Sequence, residues 1–353
     1  MDSLLEEVLR DGFEQRCSDV FIKNNTTPIF RQFGKCLPTS YPVQDAEACR
    51  RLAHSVMTPR QIQRFEDHPE LDISLELEGL CRFRCNIYKQ RGTFGMCLRL
   101  IPLAIKTLED LGMPPVLKSM CMHKQGLVLL TGPTGSGKST TLAGMINHIN
   151  ENKQINIVTI EDPLEFVHPD KKCIVNQREV GIDTESFGDA LRHVLRQAPD
   201  VILIGEMRDA ETFQVALQAG ETGHLVFSTL HTPSAYETLD RIANMFPPHD
   251  KPQIALRLST TLKGVVSQKL VPRMDGGRIA ATEIMVVTPT VSKLLEEGKS
   301  GQIYPALAEG SFYGMQTMNQ CLTRYVKAGL CTDEEALQNA GNYTELKQML
   351  RRQ

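Results

Sequence analysis

The stretch GLVLLTGPTGSGKSTTLAGMINHINEN, residues 126–152, is three patterns laid end to end. Leu127 to Leu130 are an unbroken apolar run of strand length, the mark of a strand covered on both faces. Gly132 to Ser139, GPTGSGKS, fits G-x-x-x-x-G-K-[ST], and the residues from Ser139 onward read as a helix. Glycines let the backbone fold its amides around phosphate oxygens, a lysine in the Lys138 position reaches the β and γ phosphates, and the Ser139 hydroxyl is placed to ligate Mg²⁺. Strand, phosphate loop and helix in that order make this an α/β chain. They also place a nucleoside triphosphate on Gly132, Pro133, Thr134, Gly135, Ser136, Gly137, Lys138, Ser139 and Thr140.

Outward from that stretch the alternation continues. INIVTIEDP (155–163), a helix around 187–197, DVILIGE (200–206), a helix around 210–219 and GHLVFSTLH (223–231) follow one another. Such alternation predicts a mostly parallel sheet with right-handed crossovers and ligands at the carboxyl ends of its strands. Glu161, Asp162 and Glu206 then arrive beside the phosphates. In many P-loop proteins an aspartate stands where Gly205 is and holds Mg²⁺ through water, which glycine cannot do. The work passes to Glu206 and the Glu161–Asp162 pair, one carboxylate helping to hold a hydrated metal with Ser139 and another polarising the attacking water. The residues alone leave that division open, with Ser139 and Glu206 as the candidate metal holders. His224 and His231 bracket the last strand; His231, at its carboxyl end, is placed to sense the γ phosphate or orient water, whereas His224 reads equally well as structural. From about Pro247 onward the sequence reads as helical and more polar.

The first hundred residues read differently. VFI and TPIFRQFGK look like short strands, and DAEACRRLAHSVM and PRQIQRFED like short helices. In CRFRCNIYKQRGTFGMCLRLI (81–101), Cys81, Phe83, Cys85 and Ile87 alternate with Arg82, Arg84, Asn86 and Tyr88, and a second strand carries Arg99. Period two puts Arg82, Arg84 and Arg99 on faces away from the apolar residues. An arginine set against developing charge accelerates phosphoryl transfer, and a P-loop core often takes it from another domain or subunit. The expected organisation is a smaller α+β domain over 1–101, a proline-marked linker over 102–120 and the α/β nucleotide domain over 121–353.

The 353 residues, 41% hydrophobic and 23% charged, have the composition of a globular protein of two or three domains. A net charge of −3 gives no case for a nucleic-acid binder, which is usually basic over a whole domain. The acidic, amphipathic start does not read as a secretory leader, and no apolar run nears the roughly 20 residues of a membrane span; a cytosolic chain is expected. Ten cysteines without a CxxC pair read as reduced, packed thiols with no zinc.

Several further stretches complete the pattern: SDVFI, RFRCNIY, TIEDPLEFVH, QREVGIDTESF, LRQAPDVILIGEMRD, ETGHLVFSTLHT, TLDRIANMFPP, VSQKLVP and GMQTMNQCL. Together with the phosphate loop they resemble, nearly end to end, the PilT/PilU family of type IV pilus retraction ATPases. The resemblance implies a RecA-like P-loop core, a PAS-like first domain, and a homohexamer with ATP and Mg²⁺ between subunits. It makes Glu206 the Walker B glutamate, with glycine normal before it, and places Glu161 and Asp162 in an acidic box. It places His224 and His231 in a histidine box, and makes Arg82, Arg84 and Arg99 the arginines that reach the nucleotide. It further implies an inner-membrane platform protein as partner, a cytoplasmic location peripheral to that membrane, and a paralogous pilus ATPase as a possible second partner. No nucleic acid is expected. Assembly and type II secretion relatives carry long extra N-terminal domains and a four-cysteine zinc insert, absent here, which favours retraction. Two departures stand out. TVSKLLEE (290–297) occupies the place of the family's AIRNLIRE, with Ser292 and Glu296 for its arginines, and Phe21 stands where a histidine is usual, as in PilU-like members. They open a second reading, an auxiliary ATP-binding coupling subunit of another pilus motor, beside a third, the motor of a related secretion system.

Overall fold

A computed structural model describes residues 1–32, 34–77, 80–102 and 104–351. The chain divides into two compact units, Met1–Ala104 and Ile105–Gln353. Phe33 of the stretch read as one strand, Leu103 of the segment read as a linker, and the last two residues of the second domain lie outside the described residues.

The first unit runs α1 (Ser3–Glu14), β1 (Asp19–Lys23), β2 (Ile29–Gln32), β3 (Lys35–Pro38), α2 (Ala46–His54), α3 (Pro59–Asp67), β4 (Glu70–Leu77), β5 (Cys81–Gln90) and β6 (Thr93–Pro102). Its strands form one antiparallel sheet, in the order β3-β2-β1-β6-β5-β4 among the described residues. The acidic start is a helix because Leu5, Val8 and Leu9 fall on one face, fully buried, and Asp2 caps it by accepting from the Leu4 amide at 2.9 Å. The alternation in β5 holds: Cys81, Phe83, Cys85 and Ile87 are all buried, and burying a Phe or Ile contributes about 1.5–3 kcal/mol. TPIFRQFGK proves to hold a turn and not a single strand, since β2 and β3 pair antiparallel from Ile29↔Pro38 to Gln32↔Lys35.

The second unit runs α4 (Val116–Cys121), β7 (Gly126–Thr131), α5 (Lys138–Asn152), β8 (Asn156–Glu161), β9 (Ile174–Glu179), α6 (Phe187–Val194), β10 (Val201–Ile204), α7 (Ala210–Glu221) and β11 (Leu225–Leu230). After these come α8 (Ala235–Ala243), α9 (Lys251–Thr261), β12 (Leu262–Pro272) and β13 (Arg278–Val286), then α10 (Pro289–Glu296), α11 (Ile303–Glu309), α12 (Met318–Lys327), α13 (Asp333–Gln338) and α14 (Tyr343–Arg351). The sheet order is β13-β12-β7-β11-β10-β8-β9; every pairing is parallel except β12 with β13. The mostly parallel α/β core is therefore present. Alternate residues of its strands feed two layers: Leu127, Leu129, Ile202 and Ile204 pack on one face with Phe213 and Leu217 of α7. Val128, Leu130, Val201 and Leu203 pack on the other with Met145, Ile146 and Ile149 of α5.

The expectation of helix from Pro247 onward is corrected here by the β12–β13 hairpin. Its turn holds Gly276 and Gly277 at φ 96° and 78°, a conformation that glycine enters without steric cost. α9 runs into β12 with no glycine or proline between them, so nothing marks the change of period. Part of the segment read as a linker belongs to the second unit, where Leu108, Met113, Leu117 and Met120 are buried. All ten cysteines are free thiols, and all but Cys36 and Cys97 are buried. Among the described residues no helix is long and apolar enough to cross a membrane.

Candidate nucleotide site

The loop between β7 and α5 is shaped by β12, the fifth strand after β7 in sequence but its neighbour in the sheet. A Cβ on Gly132, at φ 138°, would meet the Gln268 carbonyl oxygen at 2.2 Å, and one on Gly137, at φ 89°, the Gln268 amide at 2.8 Å. Both positions demand glycine. Gln268 Nε2 donates to the Ser136 carbonyl at 2.8 Å and its Oε1 accepts from the Thr141 hydroxyl at 2.9 Å, so the loop is braced before any phosphate arrives. The Lys138 ammonium donates to the loop's own Gly132 and Pro133 carbonyls at 2.8 and 3.1 Å. Burial pulls its pKa down, and Glu165 and Glu206 pull it back up. Ser136 Oγ is buried without a hydrogen-bond partner among the described residues, a polar atom suited to a phosphate oxygen.

Strands β8, β10 and β11 end at the same edge and deliver Glu161, Glu206 and His231 to a cavity of about 350 Å³ shared with Thr134, Gly135, Lys138 and Ser139. Gly205 has a packing reason: a Cβ there would lie 3.3 Å from the Ile160 carbonyl and 3.4 Å from Glu161 Cα. An aspartate would be pressed into β8. The carboxylate instead comes one residue later, on Glu206, whose Oε1 meets the Arg208 guanidinium and whose Oε2 lies 3.4 Å from His231 Nε2.

Glu161 sits deeper. Burial pushes its carboxyl up to about 7, against hydrogen bonds from the Thr159 hydroxyl at 2.7 Å and the Gln177 amide at 3.3 Å that pull it down. The Glu165 backbone amide also pulls it down, yet burial dominates because taking a carboxylate out of water costs more than these donors return. Asp162 is exposed at the rim of the same cavity. Glu161, with a pKa near 7 and lining the cavity of the phosphate loop, suits abstraction of a proton from water. Among the described residues no three His, Cys, Asp or Glu side chains form a metal cage. Ser139 and Glu206 fit a Mg²⁺ that keeps most of its ligands from water and phosphate.

Of the residues expected from the sequence, Thr134, Gly135, Lys138, Ser139, Glu161, Asp162, Glu206 and His231 line this cavity. Gly132, Pro133, Ser136, Gly137 and Thr140 belong to the loop and first turn around it. His224 is not brought in: it precedes the opposite end of β11, its Nδ1 3.0 Å from the Ala219 carbonyl. Arg82, Arg84 and Arg99 belong to the first unit, where Arg84 faces Arg99 across β5 and β6. Arg99 pairs with the buried Asp19 at 2.9 Å, and Arg84 lies 4.0 Å from Asp72.

Arg208, His168 and Gln177 are among the residues of the cavity region that carry no expectation from the sequence. Arg208 stands two positions past Glu206, a spacing that could have flagged it. His168 lines the cavity, 6% exposed, with Nδ1 unpartnered among the described residues, and burial lowers its pKa to about 4. Gln177 lies on β9 and carries no local signal.

Comparison with known proteins agrees with this geometry. Residues 1–288 match the family model "Type II/IV secretion system protein". The Pseudomonas aeruginosa "Type IV pilus retractation ATPase PilT" is 45% identical over 336 residues, covering 95% of this chain and 98% of that one. The "Type IV pilus ATPase PilU" of the same organism is 40% identical over 347 residues, covering 98% and 91%. A crystal structure of the pilus retraction motor PilT with bound ADP superposes with a TM-score of 0.92 at 42% identity, covering 97% and 98%. With a family model spanning most of its length and relatives matched nearly end to end, the chain belongs to the type II/IV secretion system proteins, and within them to the PilT/PilU family.

Proposed function

We propose that this protein is a Mg²⁺-dependent ATPase that powers type IV pilus retraction, extracting pilin at an inner-membrane platform as a homohexamer. The observation that carries the reading is one cavity joining Lys138 and Ser139 of the phosphate loop to Glu161, Asp162, Glu206 and His231. The loop amides and Lys138 hold the β and γ phosphates, drawing the lysine from its loop carbonyls. Ser139 and Glu206 would hold Mg²⁺, which when bound would neutralise charge on the phosphates. Glu161 accepts a proton from water as its oxygen bonds to the γ phosphorus and the bond to the β,γ-bridging oxygen breaks, leaving ADP and phosphate. His231, beside Glu206, senses whether the γ phosphate is present. Arg82, Arg84 and Arg99 supply positive charge from a neighbouring subunit. Work at the platform makes the protein cytoplasmic and peripheral to the inner membrane.

A second reading, an auxiliary coupling subunit beside another pilus ATPase, draws on one detail. Ser292, in place of a family arginine, donates to the Ser259 carbonyl at 2.7 Å and so serves the packing of α10 on α9. Deleting the gene separates the two: loss of all retraction supports the motor, whereas retraction that survives at reduced force supports the auxiliary role.

A further inference from the structure

We propose that Gln177 is the positioning residue that aims the Glu161 carboxylate at the nucleotide and ties it to the loop that follows Asp162. The inference rests on the reading of Glu161 as the acceptor of the water's proton.

β8 and β9 are parallel, and their register sets Thr159 beside Gln177. Both side chains reach the same carboxylate oxygen: the Thr159 hydroxyl donates to Glu161 Oε1 at 2.7 Å and Gln177 Nε2 at 3.3 Å. Gln177 Nε2 also donates to the Phe166 carbonyl at 2.9 Å, and its Oε1 accepts the His168 amide at 2.7 Å. A backbone N–H can only donate and a carbonyl can only accept, so these two partners fix which way the side-chain amide points. Turning it over would place N–H against N–H and oxygen against both the Phe166 carbonyl and the carboxylate. The amide is therefore a junction of known polarity. Its NH2 binds the carboxylate and the Phe166 carbonyl, and its oxygen the His168 amide, which ties Glu161 to residues 166–168, the segment that carries the His168 ring into the cavity. Without the donor, Glu161 keeps the Thr159 hydroxyl and the Glu165 backbone amide but loses its tie to β9, the contact that sets its carboxylate against the neighbouring strand. Misplacing a reacting group by about 1 Å costs on the order of 100-fold in rate.

Gln177 does not line the cavity, so its loss should act on turnover and not on nucleotide affinity. The test measures kcat and KM for ATP, and ADP affinity, on the full-length protein as wild type, Gln177→Met, Glu161→Gln and the double variant. Methionine keeps the side chain's length and removes the donors; Gln177→Glu, which retains the acceptor for the His168 amide, is the second variant should methionine unfold the chain. The proposal expects kcat to fall about 10- to 100-fold with KM and ADP affinity changed less than about threefold, and no further loss when Gln177→Met is added to Glu161→Gln. Wild-type kcat in Gln177→Met and Gln177→Glu, beside an inactive Glu161→Gln, overturns the proposal and leaves the role of Glu161 standing. So do losses that multiply in the double variant. Wild-type kcat in Glu161→Gln instead removes the role of Glu161 itself, and the proposal with it.

Discussion

The two sides of the cavity are built in opposite ways. The phosphate side is local: Gly132 to Ser139 are consecutive, and their chemistry is written in their order. The acidic side is assembled from three strand ends, with Glu161 on β8, Glu206 just past β10 and His231 just past β11, and its support comes from a fourth strand, β9, through Gln177. A local site survives as long as its own turn survives. A distributed one depends on strand register and on how closely neighbouring strands approach.

That contrast can be broken most forcefully on the local side. Lys138→Ala removes the ammonium that meets the phosphates, and hydrolysis in a coupled phosphate-release assay should fall about 1,000-fold or more with melting temperature little changed. Substantial residual activity would show that the loop alone does not define the site.

On the distributed side, the raised pKa of Glu161 makes a sign-definite prediction. A carboxyl raised from 4.5 in the unfolded chain to about 7 in the fold contributes stability that is fully present below 4.5 and is lost as pH rises through 7. The nucleotide-free protein should therefore lose on the order of 3 kcal/mol from this group between those values. In Glu161→Gln that component disappears, and urea unfolding at pH 5 and pH 8 compares the two; equal pH slopes would contradict the burial. Gly205→Asp tests strand approach: with Ile160 O only 3.3 Å from the new Cβ, it should cost about 1–3 kcal/mol and fail to replace Glu206 in a Glu206→Gln background. The smallest effect is expected far from either side, where Arg192 and Glu211 form an exposed pair on α6 and α7. Arg192→Ala should change stability by less than about 1 kcal/mol and leave turnover of the isolated protein intact.

The same contrast explains what could be read in the sequence. The phosphate loop, the βα alternation and the carboxylates at strand ends were legible because each rests on a short run or a fixed period. Gly205 before Glu206 was legible as an oddity, but its reason, the approach of Ile160 and Glu161, exists only once β8 and β10 pair. The β12–β13 hairpin was missed although Asp275, Gly276 and Gly277 mark its turn, because the unbroken passage from α9 into β12 hid the change of period. Gln268 and Gln177 were not legible as supports: each acts across the sheet on a residue 132 or 16 positions away, and no spacing in the chain encodes that.

The most direct test of the account is Mg²⁺-dependent ATP hydrolysis by the purified protein across a wide concentration series, with Glu206→Gln beside it. A motor whose site is completed by a neighbouring subunit should show specific activity that rises steeply with concentration, and an inactive variant. Wild-type activity as flat and low as that of Glu206→Gln would contradict the account.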